Sequence, residues 1–181
     1  NTIREAITHT RHMFIEKPVF HRPYEQLDGL NLRNDGVYYV ACPLRYLACM
    51  EYLKKKIEGE HIYSARAISS SYLPDWRKGV DYRKIYSADK QRGGGVTLDL
   101  IHELDYLTDL FGMPNKSFHL QGKYSDLEIN SDDISLYILQ YRDKLVEVHL
   151  DYFGKETIRK LELFCRDCVI KVDLIQSTIQ Y

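Results

Sequence analysis

Apolar and polar residues alternate in two segments of the final third of the chain, residues 146–152 and 170–174. A period of two places one set of side chains on the core face of a β-strand and the other set on its outer face. The polar pairs Arg142–Asp143 and Arg166–Asp167 fit the turns between such strands. The pattern therefore predicts antiparallel sheet between Ile134 and Leu174, with an outer face formed by Glu147, His149, Asp151, Lys171 and Asp173.

Two other segments have the period of an amphipathic helix. The first begins at Leu44 and ends near Gly59, and the second follows the glycines at 93–95 and ends at Gly112. The first apolar stripe consists of Tyr46, Cys49, Met50, Leu53 and Ile57, and the second of Leu100, Leu104, Leu107 and Phe111.

The rest of the chain contains short predicted elements and one long irregular segment. Residues 2–12 read as the end of a helix, residues 12–15, 37–41 and 61–69 as strands, and residues 71–92 as a long irregular segment. The order of elements predicts an α+β fold with a mostly antiparallel open sheet that helices cover on one face.

Composition narrows the class of protein. The chain has 181 residues, which favours one domain or one domain with a piece of another. A formal net charge of −1 provides no long-range attraction to nucleic acid or to an anionic membrane, and no apolar run approaches the roughly 20 residues of a membrane helix. We expect a cytoplasmic protein without nucleic-acid or membrane partners.

Two of the four cysteines, Cys165 and Cys168, form a C-x-x-C pattern. A structural zinc site needs four ligands, and Cys42 and Cys49 have the wrong spacing to supply the other two. We therefore predict reduced cysteines at the tip of a β-hairpin and no metal site.

Asp99, His102 and Tyr106 carry the most informative chemistry. On one continuous helix they fall within an arc of about 60°, next to the apolar stripe. A histidine beside a carboxylate is a suitable proton-transfer unit, because imidazole titrates near neutrality. The alternative is that these polar residues form an ordinary solvated helix face.

Several motifs in order give the chain a family resemblance. Glu16–Lys17–Pro18 after an apolar strand matches the E-K-P motif of the Gfo/Idh/MocA oxidoreductases, named after glucose–fructose oxidoreductase and inositol dehydrogenase. The stretch from Gly93 to Asp105 resembles that family's glycine-rich D…H…D signature, with two residues rather than three between Asp99 and His102. Residues 44–46, 72–77, 81–83 and 132–133 are also similar to the family, and residues 72–77 resemble members acting on surface-polysaccharide sugars.

The resemblance implies an enzyme that transfers a hydride between NAD or NADP and a carbon of a sugar or nucleotide sugar. It implies that His102 is the general acid/base, that Asp99 orients it, and that Lys17 hydrogen-bonds the reacting hydroxyl. Glu16, Lys17 and a cis-linked Pro18 would contact the cofactor. The residues expected to bind the substrate are Arg45, Tyr46, Trp76, Arg77 and Tyr82.

The family's dinucleotide motif, G-x-G-x-x-G, does not occur in the chain. We expect residues 1–18 to be the C-terminal remnant of a Rossmann domain. Residues 19–181 are then a substrate-binding and oligomerisation domain, incomplete at its C-terminus, which forms a homodimer or homotetramer through its sheet. Such a fragment should be inactive and bind NAD weakly. Two other functions stay open: a glycoside-cleaving relative that uses NAD transiently, and a non-catalytic oligomerisation module.

Overall fold

A computed structural model describes residues 2–20 and 29–181, and the chain divides into two compact units, Asn1–Cys42 and Pro43–Tyr181. This boundary lies after Cys42, whereas the family resemblance ends the Rossmann remnant at Pro18. The assignment of residues 1–18 to a Rossmann domain stays a prediction.

The first unit contains one helix and a pair of parallel strands among its described residues. Helix α1 is Thr2–Ala6, and strand β1, Met13–Ile15, pairs with β2, Tyr38–Val40. Both strands were predicted. The helix is shorter than the predicted 2–12, because turns follow Ala6 and the Thr8 hydroxyl donates to the Glu5 carbonyl, 2.7 Å away. The pattern also predicts turns in the polar segment 19–35, and residues 21–28 of it lie outside the described residues.

The second unit is built on a seven-stranded sheet. Its strand order is β4-β5-β6-β3-β7-β8-β9, and all neighbours are antiparallel except β3 and β6, which are parallel. The predicted α+β class with a mostly antiparallel sheet is confirmed. The strands are β3 Ile62–Tyr72, β4 Lys116–Gly122, β5 Ile134–Gln140, β6 Leu145–Asp151, β7 Phe153–Cys165, β8 Val169–Asp173 and β9 Thr178–Gln180.

Helices cover one face of this sheet and form the core with it. Helix α2, Ala48–Lys56, contributes Cys49, Met50 and Leu53, all buried. A 3-10 turn, Pro43–Tyr46, precedes α2, since Leu47 has an extended backbone that separates the turn from the helix predicted from Leu44. On the sheet, Val146, Val148 and Leu150 are at most 2% exposed. The alternating pattern thus marks the core face correctly.

The predicted second helix is interrupted. It consists of α3, Val96–Asp99, and α4, His102–Phe111, because Leu100 departs from helical geometry with φ −101° and ψ 27°. Asp99 therefore ends one helix and His102 begins the next, so the arc expected for one continuous helix is wrong. Gly112 ends α4 with a positive φ of 75°, as predicted.

The three glycines before α3 permit close packing within the chain itself. A Cβ at Gly94 would lie 2.1 Å from the Tyr86 carbonyl oxygen, and one at Gly95 would lie 2.1 Å from the Asp132 carboxylate. Asp132 also accepts hydrogen bonds from the backbone and hydroxyl of Thr97, 3.0 and 2.7 Å away. The glycines thus fix the start of α3 against residues 86–87 and 132.

Cys165 and Cys168 lie at the tip of the β7–β8 hairpin, as predicted, and both are free thiols. The Cys165 N–H donates to the Cys168 carbonyl at 2.9 Å. Burial and the neighbouring Cys168 raise the pKa of Cys165 to about 11. Cys165 is therefore a thiol rather than a thiolate at neutral pH.

One residue of the predicted outer face is buried. Asp151, 3% exposed, accepts hydrogen bonds from the Ser70 hydroxyl, from His149 and from the backbone N–H groups of Phe153 and Gly154. Burial alone would raise the pKa of Asp151, but these hydrogen bonds hold it below its usual range. Asp151 thus lies on the same face as His149, as predicted, but it is buried because its carboxylate caps the turn from β6 into β7.

Candidate functional site

A cleft of about 340 Å³ beside the start of α4 brings together several of the predicted site residues. We call it the histidine cleft. It is lined by Ser70, Trp76, Asp99, His102, Thr157 and Arg159, among others.

His102 is the first residue of α4 and is partly exposed. The break at Leu100–Ile101 places it at the start of a ten-residue helix rather than in the middle of a longer one. The alternative of a solvated helix face is wrong for its neighbours, since Asp99 is 5% exposed and Tyr106 is fully buried. An imidazole that is partly exposed in a cleft has access to a substrate proton.

Asp99 is held by two tyrosines from other parts of the chain. The Tyr86 hydroxyl donates to Oδ1 and the Tyr152 hydroxyl to Oδ2, each at 2.6 Å. Burial, together with Asp99 itself, raises the pKa of Tyr86 to about 12 and that of Tyr152 still higher. Both hydroxyls stay protonated at neutral pH and act as donors, so the carboxylate is fixed in position. That Asp99 orients His102 stays a prediction.

An ion pair that the sequence pattern did not indicate lies beside the cleft. Arg159 on β7 places Nε 2.8 Å from Oε1 of Glu103, whose side chain has no exposed surface, and Nε also donates to the Ser69 hydroxyl at 3.3 Å. Burial and the Glu103 charge raise the pKa of the adjacent Tyr106 well above its usual range. Arg159 thus connects β7 to the first turn of α4.

Three of the predicted substrate-binding residues lie at clefts. Trp76 lines the histidine cleft, its Nε1 donates to the Ser71 hydroxyl at 2.9 Å, and its ring meets Tyr152 edge-on at 5.3 Å. Arg77 lines a neighbouring cleft of about 400 Å³, and Tyr82 lines a third of about 310 Å³. Substrate binding by Trp76, Arg77 and Tyr82 stays a prediction.

Arg45 and Tyr46 lie outside these three clefts. Arg45 Nε donates to Asp105 Oδ2 at 3.0 Å, and its guanidinium also lies 3.7 Å from Asp109, so Arg45 joins the 3-10 turn to α4. Tyr46 is 54% exposed. These contacts give Arg45 a structural role, and substrate binding by either residue stays a prediction.

Glu16, Lys17 and Pro18 lie in the first unit, directly after β1. The Lys17–Pro18 peptide bond is cis, as the resemblance implied. Glu16 is exposed, and Lys17 and Pro18 are partly exposed. Their contact with a cofactor stays a prediction.

Solved structures with this fold include three dehydrogenases. Levoglucosan dehydrogenase, in complex with NADH and levoglucosan, is 16% identical with a TM-score of 0.80, and the match covers 97% of this chain and 51% of that one. The WlbA dehydrogenase from Bordetella pertussis, in complex with NADH and UDP-GlcNAcA, is 17% identical (TM-score 0.74; 94% and 54% covered). Myo-inositol 2-dehydrogenase from Lactobacillus plantarum is 14% identical (0.72; 94% and 52%). The chain thus spans about half the length of these proteins.

Comparison with curated protein sequences finds no match. In the described residues no helix is long and apolar enough to cross a membrane. The family model for the C-terminal alpha/beta domain of the oxidoreductase family, GFO_IDH_MocA, matches residues 54–156. That match covers more than half of the chain and includes Trp76, Asp99 and His102, so the chain belongs to the Gfo/Idh/MocA oxidoreductase family.

Proposed function

We propose that this chain is the substrate-binding part of an NAD(P)-dependent dehydrogenase that acts on a sugar or nucleotide sugar. The observation that carries the proposal is the histidine cleft, in which a partly exposed His102 stands beside a fixed carboxylate and an indole ring. Aromatic rings and polar side chains around one acid/base group suit a polyhydroxylated substrate. The proposal includes two further assignments: residues 1–18 are the remnant of a Rossmann domain, and the protein is cytoplasmic.

The chain lacks the motif with which a Rossmann domain binds the pyrophosphate of its dinucleotide. That group needs a G-x-G-x-x-G turn opening a helix, and the sequence has none. The glycines at 93–95 are no substitute, because Gly94 and Gly95 press against Tyr86 and Asp132. Nicotinamide supplies the hydride acceptor or donor when bound, and the residues here act on the substrate.

In the proposed mechanism His102 accepts the hydroxyl proton from the sugar during oxidation and returns it during reduction. The family resemblance gives Lys17 a hydrogen bond to the reacting hydroxyl. Asp99, held in place by Tyr86 and Tyr152, supports the charge that His102 gains. Trp76 positions the sugar ring.

Activity measurements test this proposal. We expect the gene product that combines this chain with a dinucleotide-binding domain to reduce NAD⁺ or NADP⁺ with sugars or nucleotide sugars. Residues 1–181 alone should show no turnover and should bind NAD only weakly in calorimetry. Micromolar NAD affinity of residues 1–181 would contradict the assignment. Release of a glycosidic leaving group without net NADH would indicate the glycoside-cleaving function instead.

We also propose that the sheet pairs two copies of the chain. Five apolar residues of β4, β5 and β6 are between 37% and 74% exposed, and strand register places them on the face opposite the helices. They are Phe118, Leu120, Leu136, Ile138 and Leu145, and we call them the outer-face patch. Exposed apolar clusters of this kind mark protein interfaces.

Light scattering checks the pairing. The wild-type chain should be a dimer or tetramer, and Leu120→Lys with Ile138→Lys should shift it to monomer, because two charges would be buried without partners. Val80→Lys changes an exposed apolar residue outside the sheet and should leave the mass unchanged. A wild-type chain that stays monomeric at high concentration contradicts the proposal.

A further inference from the structure

The histidine cleft continues into two others. It shares Ser71, Trp76 and Thr157 with the cleft of about 400 Å³, which we call the cation cleft. The cation cleft in turn shares Tyr72 and Lys155 with the cleft of about 310 Å³, the aromatic cleft. The three clefts therefore lie in a row that begins at His102, which we call the groove, and each volume is in the range of small-molecule sites.

The middle of the groove holds two cations that no carboxylate neutralises. Arg77 and Lys155 both line the cation cleft and are exposed, and within the described residues neither has a carboxylate within ion-pair distance. Other arginines of this unit do have one: Arg83 is paired with Asp81. Asp75 lines the same cleft but forms no such pair. Two unpaired cations at one opening suit an anion with several oxygens, such as a diphosphate.

The far end of the groove is aromatic. The rings of Tyr72, Tyr82 and Phe153 line the aromatic cleft, with Ser125 and Asp126 as hydrogen-bonding groups. Lys155 Nζ lies 3.0 Å from the centre of the Tyr72 ring, so the cation and the aromatic surface are adjacent. Flat rings with a few polar groups beside them suit a nucleobase, because any base can stack on an aromatic side chain.

We infer that this groove binds a sugar linked to a nucleoside diphosphate. The sugar lies at His102, the diphosphate at Arg77 and Lys155, and the base on the rings of the aromatic cleft, which is the order of these groups along such a substrate. The inference rests on the proposed function and deepens it by naming the substrate class. It also assigns specificity to Tyr72 and to Lys155, and Lys155 lies in none of the family motifs.

Calorimetry on residues 1–181 with UDP, GDP and inorganic pyrophosphate tests the inference. We expect one of the nucleoside diphosphates to bind more tightly than pyrophosphate, and Lys155→Gln and Arg77→Gln each to weaken it about tenfold, since each removes a charge-assisted hydrogen bond. Lys160→Gln is the matched control, because Lys160 is an exposed lysine on the same strand and lines none of the three clefts. The Lys160→Gln variant should bind the nucleoside diphosphate as tightly as the wild type does.

Three results would overturn the inference: no binding of either nucleotide, equal affinity for pyrophosphate and nucleotide, or variants no weaker than Lys160→Gln. Displacement of the nucleotide by NAD⁺ at equal affinity would also overturn it, since the groove would then be a general dinucleotide site. The measurement needs no hydride transfer, so an inactive enzyme leaves the inference standing. A dehydrogenase specific for a neutral sugar would instead preserve the proposed function and remove the inference.

Discussion

His102→Ala is expected to lower the turnover of the complete dehydrogenase about 10²–10⁴-fold, the usual contribution of a general acid/base. The melting temperature should change little, because His102 is partly exposed at the start of α4 and is not part of the buried core. One limb of the pH–rate profile should disappear with the imidazole. Lys17→Ala should fall in the same range, and NAD binding should be nearly unchanged in His102→Ala.

His61→Ala is a suitable control for this experiment. His61 is exposed, directly precedes β3 and lines none of the three clefts. Its removal should leave turnover and the pH profile unaltered. If a well-folded His102→Ala enzyme keeps wild-type turnover, or loses activity only in proportion to its loss of stability, His102 is not the general acid/base.

The sheet was predictable from local periodicity, but its strand order was not. Alternation in residues 146–150 identifies the core face because each side chain's direction depends only on its own strand. Ser64–Ser70 pairs in parallel with Leu145–Asp151, which lies about 80 residues away along the chain. The pattern of neither segment identifies the other as its partner strand. The break between α3 and α4 was hidden for a related reason. Leu100, Leu104 and Leu107 keep the helical spacing across it.

The site was predictable only where a motif marks it. His102 and Asp99 stand in the glycine-rich signature, but the tyrosines that hold Asp99 come from an irregular segment and from the end of β6. Tyr152 continued an apolar alternation and so read as ordinary core. No sequence pattern marks Arg159 or Lys155, because nothing in the sequence shows that Glu103 lies beside Arg159 or that Tyr72 lies beside Lys155.

Arg159→Met should be the most destabilising of the variants considered, at about 3–5 kcal/mol of unfolding free energy, because it removes the cation from a carboxylate that stays buried. Glu103 has no exposed side-chain surface, and its Oε1 lies 2.8 Å from Arg159 Nε. The exposed pair Arg66–Glu147 has a similar distance, 3.0 Å, but both side chains are 53% exposed. Arg66→Met should therefore cost less than about 1 kcal/mol, since water screens and replaces the lost contact.

The double variant Glu103→Leu with Arg159→Met separates burial of charge from loss of packing. It removes both charges, and an apolar pair of similar volume is often as stable as a buried ion pair. In urea denaturation the double variant should therefore keep most of the stability that Arg159→Met alone loses. The double variant can be measured even if Arg159→Met does not fold. If the double variant is as unstable as Arg159→Met, the deficit comes from the shape of the arginine side chain. If Arg159→Met costs no more than Arg66→Met, the ion pair with Glu103 does not hold β7 to α4.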